Sequence, residues 1–195
     1  MDGDTVLDDQ QIEWREILTK ALNQAGIALS QLVLKNFSLQ EFSMKHHPIH
    51  QLPSLLGDES TPVAAAFIRV EGDLRGYLLL ITPLDELDPL MNILLQDMQG
   101  PELVHSALGE LGNIVGSAFL NCLADYFHLQ ALPTPPQTVC DMVGALLGSL
   151  AGSLAAEGVE QVPVVRTQWT GEQQELSSIL LWLPEARQFE RLGAI

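Results

Sequence analysis

Apolar positions recur with a helical period from about Gln10 to Lys35, where Trp14, Ile17, Leu18, Ala21, Leu22, Ala25, Leu29 and Leu32 mark one side. A strand-like piece follows near Phe37–Met44, then a loop containing Pro, Ser and Asp from Pro53 to Pro62. Val63–Glu71 and Leu74–Ile81 flank Gly72-Asp73 and predict a hairpin. Thr82-Pro83-Leu84-Asp85 has the form of a helix start, with a capping hydroxyl, Pro in the first turn and an acid near the positive dipole end. That helix is expected to end before Gly100-Pro101.

The second half repeats this order. A long helix is predicted over about Glu102–Phe127, then a short strand or loop through Pro133-Thr134-Pro135-Pro136, then a Gly-rich helix over about Val139–Ala156. Val162–Thr170 and Leu176–Leu183 predict a second hairpin around Gly171-Glu172. Gly72 and Gly171 stand 99 residues apart, and Phe37-Ser38-Leu39-Gln40 stands 90 residues before Phe127-His128-Leu129-Gln130. The order of elements implies one domain over 1–195, with pseudo-repeats at about 10–98 and 101–184. The fold class expected is α+β, an antiparallel sheet covered by long helices.

Composition narrows the partners. The 195 residues are 47% hydrophobic, enough for one substantial core. Nine basic against 25 acidic residues give a net charge of -16, which repels nucleic acid and anionic lipid. Met1-Asp2-Gly3-Asp4 has no basic segment leading into an apolar one, which argues against a secretory signal. Met142–Ala156 is shorter than the about 20 apolar residues that span a bilayer, so a buried helix and no membrane contact are expected. Two cysteines, Cys122 and Cys140, fit a reduced cytoplasmic protein.

Candidate chemistry gathers on the helix after Gly100. Successive helical residues turn by about 100°, so Ser106, Glu110, Asn113 and Ser117 share one stripe. Leu108, Leu111, Val115, Phe119, Cys122 and Tyr126 fall on the opposite, core-facing side. Gly109, Gly112 and Gly116 line one shoulder, each costing about 1 kcal/mol relative to Ala. Their cost implies that a neighbouring helix or a partner protein comes close there.

A Glu and an Asn three apart are by themselves no more than a solvated face. The larger pattern Ser106-x3-Glu110-x2-Asn113-x22-Pro136 resembles the phosphatase signature of the CheC/CheX/FliY family. Glu110-Leu111-Gly112-Asn113-Ile114-Val115-Gly116-Ser117 and Phe119-Leu120-Asn121-Cys122-Leu123-Ala124 resemble that family's active helix. The resemblance is strong over about residues 103–150. It implies a phosphatase that hydrolyses the phospho-aspartate of a CheY-like receiver in chemotaxis or a related two-component pathway. Asn113 would hold the attacking water, Glu110 would pair with the receiver's lysine, and Ser106 would support docking or orient Glu110. Ser117 lies on the same supporting stripe, and Pro136 would shape the turn after the helix. No cofactor of its own is implied, because the receiver brings its own Mg²⁺.

Members of that family often carry the motif twice. Here the first helix reads Glu16-Ile17-Leu18-Thr19-Lys20-Ala21-Leu22-Asn23. Aligned on Glu16, the Asn position holds Thr19; aligned on Asn23, the Glu position holds Lys20. One active site and a degenerate first half are expected either way. Other signals are read structurally: His46-His47-Pro48-Ile49-His50 as a surface turn and not a metal site, Gly144, Gly148 and Gly152 as close helix packing, and Trp169 and Trp182 as residues of the terminal hairpin that pack in or beside the sheet. In the resembling family the helix after the active turn can bind the deamidase CheD, which makes a non-catalytic module for CheD or a receiver the alternative function. A structural part of a flagellar switch is a third. No phosphate-cradling Gly loop with Lys, Cys-x2-Cys pair or nucleophile elbow is present.

Overall fold

Two apolar runs, Leu78–Ile81 and Ile179–Leu183, lie side by side at the centre of one seven-stranded antiparallel sheet. The computed structural model describes residues 9–95, 100–171 and 175–184. Met1–Asp4 and the tip of the second hairpin at Glu172 lie outside the described residues. In chain order the elements are helix α1 (Asp9–Val33), strand β1 (Phe37–Pro48), a 3-10 helix (Ile49–Ser54), β2 (Pro62–Gly72), β3 (Gly76–Pro83) and α2 (Leu84–Leu95). Then follow α3 (Pro101–Phe127), β4 (Ala131–Pro133), β5 (Gln137–Met142), α4 (Val143–Ala156), β6 (Gln161–Gly171) and β7 (Glu175–Pro184).

Unbroken apolar runs in β3 and β7 follow from burial on both faces of the sheet. Leu78, Leu80, Leu180 and Trp182 face a core shared with α1, α2 and α3. Leu79, Ile81, Ile179, Leu181 and Leu183 face a second core closed by α4 and the 3-10 helix. Each fully buried Leu or Ile contributes about 1.5–3 kcal/mol, so three layers are held from both sides of the sheet. The α+β expectation holds, and Trp169 and Trp182 are core residues, 1% and 5% exposed.

The sheet order is β1-β6-β7-β3-β2-β4, with β5 also paired to β2. Exchanging β1 with β5, β2 with β6 and β3 with β7 leaves the order β1-β6-β7-β3-β2-β5 unchanged. The helices obey the same exchange at a spacing of 94. Trp14, Ile17, Leu18, Ala21, Leu22, Ala25 and Leu29 precede Leu108, Leu111, Gly112, Val115, Gly116, Phe119 and Leu123 by 94 positions, and all are buried. Leu34 and His128, the left-handed residues that follow the two helices, are also 94 apart. Met44 faces Val165 while Thr138 faces Ala66, which carries the spacing into the edge strands. The spacing of 90 seen between Phe37 and Phe127 is therefore not structural. Phe37 opens a strand, whereas Phe127 closes a helix.

Several local expectations are corrected. Thr82 does not cap α2: it lies in β3, and its hydroxyl is 2.9 Å from that of Ser178 in the sheet interior. His46 and His47 lie in β1, not in a turn, paired with Pro163 and Val162. Val139–Met142 is extended because it pairs with β2, so α4 starts only at Val143. Nor is α4 buried throughout; Ala145, Ser149, Gly152 and Ser153 are exposed. A Cβ on Gly144 would press on Glu59, but one on Gly148 or Gly152 would meet nothing within 4 Å. Only the first of these glycines serves packing within the fold. Among the described residues, α3 alone has the length and mean hydropathy of a membrane span, and its apolar face is buried on the sheet and α1.

Candidate functional site

Helix α3 begins with Pro101 after Gly100, whose φ of 149° no side chain readily adopts. It lies against α1 on one side and β2 beneath. The helices run antiparallel, since the Tyr126 hydroxyl near the end of α3 donates to Glu13 at the start of α1 at 2.6 Å. That hydrogen bond corrects the expectation for Tyr126, which is 42% exposed and does not face the core. Leu108, Leu111, Val115, Phe119 and Cys122 do.

The glycine shoulder is answered by the chain's own sheet, not by a neighbouring helix or a partner. A Cβ on Gly112 would lie 2.3 Å from the Ala66 Cβ, and one on Gly116 would lie 2.5 Å from Ile68 Cδ1. Both residues belong to β2. Seen the other way, bare Gly112 lets α3 sink onto the strand until its opposite side stands as a ridge. Pro136 comes to 3.9 Å and Thr138 Cγ2 to 3.8 Å of the positions that Cβ atoms of Gly112 and Gly109 would occupy. The start of β5 thereby forms a wall beside the ridge.

On that ridge Ser106, Glu110 and Asn113 are exposed, Ser117 is half-buried, and Pro136 is half-buried in the wall. Residues three apart on a helix have Cβ atoms about 5–6 Å apart and project together. Neither Glu110 nor Asn113 has a hydrogen-bond or ion-pair partner among the described residues. A free carboxylate and a free amide, held by a helix packed along its length, can enter a cleft in a second molecule. Two surface clefts, one beside Arg69, Arg75 and Tyr77 and one beside His50 and Glu160, share no residue with the ridge. The arrangement is a projection and not a pocket.

Sequence patterns missed part of the surroundings. His105 Nδ1 lies 2.9 Å from Thr138 Oγ1, tying the start of α3 to β5. His105 directly precedes Ser106, but nothing in its spacing marks a tether to a residue 33 positions later. Ala66 was equally invisible, since its role depends on β2 passing beneath Gly112.

On the α1 side the spacing of 94 selects between the two alignments. Glu16 corresponds to Glu110 and Thr19 to Asn113, while Lys20 and Asn23 correspond to Ile114 and Ser117. The Thr19 hydroxyl donates to the Arg15 carbonyl at 2.7 Å, and the Asn23 amide donates to the Thr19 carbonyl at 2.8 Å.

Comparison with known proteins bears on the family and the fold. The model of the CheC-like family matches residues 103–140, which run from α3 through β4 into β5. The CheY-P phosphatase CheC of Bacillus subtilis is 30% identical over 196 residues, covering 96% of this chain and 93% of that protein. FliY of Thermotoga maritima shares the fold with a TM-score of 0.70 at 14% identity, covering 97% of each chain. CheX of Borrelia burgdorferi, solved in complex with CheY, BeF3 and magnesium, has a TM-score of 0.52 at 15% identity, covering 85% of this chain and 96% of that one.

Proposed function

The chain belongs to the CheC-like family, and on that premise we propose that it is a phosphatase for the phospho-aspartate of a CheY-like receiver domain. The observation that carries this reading is the exposed pair Glu110 and Asn113, without a partner among the described residues, on a helix braced from behind. Two further findings support it: the Bacillus subtilis relative is a CheY-P phosphatase, and the Borrelia burgdorferi CheX was solved with CheY.

An acyl phosphate is already activated, and in phosphoryl transfer positioning and electrostatics supply most of the catalysis. No covalent nucleophile on this chain is needed. The Asn113 amide offers both an acceptor and a donor, enough to hold one water in line with phosphorus. Glu110 is placed to meet the receiver's lysine, which anchors the helix and draws that charge from its resting partner. Ser106, one turn earlier, extends the contact, with Ser117 further along the stripe. Pro136 holds the neighbouring wall. Magnesium comes with the receiver, and no cofactor is assigned to this chain. A cytoplasmic location follows from the same reading, because phosphorylated receivers are cytoplasmic.

The test is release of labelled phosphate from a phosphorylated receiver. Wild-type protein should accelerate it, and Asn113→Ala should lose about 100-fold or more while keeping its melting temperature. Equal rates for the two proteins would refute the assignment. The open face of α4 at Gly148 and Gly152 favours an additional role in binding a partner such as CheD. Gly152→Arg should then abolish deamidase binding and leave phosphate release unchanged.

A further inference from the structure

The face of the sheet opposite α3 is not covered along its whole length. Side chains along a strand point to alternate faces. Ile68, Val70 and Leu78 are turned to the core under α3, so Arg69, Glu71 and Tyr77 point the other way. Leu132 on β4 pairs with Glu71 and shares that face. These side chains and Arg75 line a surface cleft of about 370 Å³, and among the described residues none of α4 lines it.

The groups around the cleft are held in place. The Asp73 and Leu74 amides both donate to the Gln130 carbonyl, at 2.7 and 3.0 Å, and the Gln130 amide donates to Asp73 Oδ2 at 3.0 Å. The β2–β3 turn is thereby pinned to the segment after α3. From that turn Arg75 Nε donates to the Gly72 carbonyl at 3.0 Å. Arg69 Nε lies 3.5 Å from Glu71 Oε1 with both side chains more than half exposed, so water screens the pair and another carboxylate can replace Glu71 at little cost. The Tyr77 ring rests against Phe67 with centroids 5.0 Å apart, yet Tyr77 is 41% exposed and Leu132 57%. The duplicated half lacks these charges. At the spacing of 99 that relates Gly72 to Gly171, Arg69 and Glu71 answer to Gln168 and Thr170. There Ser38 faces Thr170 as Leu132 faces Glu71. The fold itself does not require the cluster.

We infer that this cleft docks a partner protein through an acidic segment that also carries apolar side chains. Two of only nine basic residues, in a chain of net charge -16, converge here. Guanidinium forks match carboxylates in geometry as well as charge. Arg and Tyr are the residues that anchor protein interfaces, and exposed Leu132 adds a contact that a bare anion would not use. The cleft lies across the sheet from Glu110 and Asn113, so docking there is independent of the phosphatase reading and compatible with it.

The probe is a fluorescent peptide of mixed Glu and Leu, titrated into the full chain and followed by anisotropy. Wild type should bind it saturably, and less tightly as salt rises. Arg69→Ala/Arg75→Ala should weaken binding about tenfold or more at an unchanged melting temperature, since both residues are exposed. Glu71→Gln should tighten binding by removing the competing carboxylate. Lys45→Ala, which removes a cation on the edge strand at the other end of the sheet, should change nothing. Peptides with Gln for Glu, or Ala for Leu, should bind about tenfold more weakly.

No saturable binding to wild type, equal affinity in the double variant, no tightening in Glu71→Gln or an equal loss in Lys45→Ala overturns the inference. So does a Gln-substituted peptide that binds as well as the parent. If inorganic phosphate displaces the peptide and the Ala-substituted peptide binds as well as the parent, the cleft is a bare anion site and the partner is overturned. Self-association of wild type that Arg69→Ala/Arg75→Ala abolishes would assign the cleft to a second copy of this chain, and overturns it equally.

Discussion

Gly112→Ala tests how α3 is seated, since the new methyl carbon would lie 2.3 Å from the Ala66 Cβ. Carbon atoms in contact settle at about 3.5–4.0 Å, so helix and strand must part by about 1 Å or more. Both groups are attached directly to backbone, and neither can rotate away. Overpacking of this kind costs about 1–3 kcal/mol, against about 1 kcal/mol gained from the better helix propensity of Ala. A net loss of up to about 2 kcal/mol is expected, a fall of up to about 8 °C in melting temperature for a chain of this size. The effect on phosphate release should be larger, because a shift of about 1 Å in positioning groups costs about 100-fold in rate. Thermal unfolding and the receiver assay would be run on Gly112→Ala, Ala66→Gly and the double variant. Moving the methyl from one side of the contact to the other should recover stability with a coupling of about 1 kcal/mol or more. Unchanged stability and rate in Gly112→Ala, or additive effects in the double variant, would refute the close approach.

Gly116→Ala should be milder, with a loss of about 1 kcal/mol or less, because the 2.5 Å contact is with the mobile end of Ile68; a melting temperature below that of Gly112→Ala would contradict this ranking. Thr82→Val should cost about 1–3 kcal/mol in denaturant unfolding by depriving the buried Ser178 hydroxyl of its partner. Adding Ser178→Ala should return part of that loss, and a further drop would count against the pairing. Leu34 has a φ of 53° and is 90% exposed, so Leu34→Gly should raise the melting temperature by about 1–4 °C.

How far the sequence discloses this fold depends on the range of the interactions that decide each element. The long helices were legible from apolar positions repeating every three to four residues, and both hairpins from apolar runs about a Gly turn. The Glu110–Asn113 stripe was equally legible, because a helix converts spacing into direction without help from the rest of the chain. What stayed hidden was decided at long range. Val139–Met142 reads as helix by composition and is drawn into an edge strand by β2. Thr82 has a capping residue's identity, yet it meets Ser178 across β3 and β7, 96 positions later. The glycine shoulder announced a close approach, but only the path of β2 shows what approaches. Matching Phe37 to Phe127 by local text gave a false repeat spacing, which the burial phase of the helices corrects.

The sheet is symmetric in strand order, yet the site proposed for the chemistry lies on one side. Both long helices bury the same phase of residues, and both carry a glutamate at corresponding exposed positions, Glu16 and Glu110. They differ at the shoulder facing the edge strand. On α3, Gly109 and Gly112 leave room for β2, Pro136 and Thr138 to close in and lift the far side of the helix. On α1 the same two positions hold Arg15 and Leu18, with Phe42 opposite Arg15. Helix propensity alone favours α1, since two interior glycines cost α3 about 2 kcal/mol relative to Ala. A helix accepts that loss where close approach yields something a well-packed helix cannot. Here it yields a braced ridge on which Glu110 and Asn113 have no partner among the described residues.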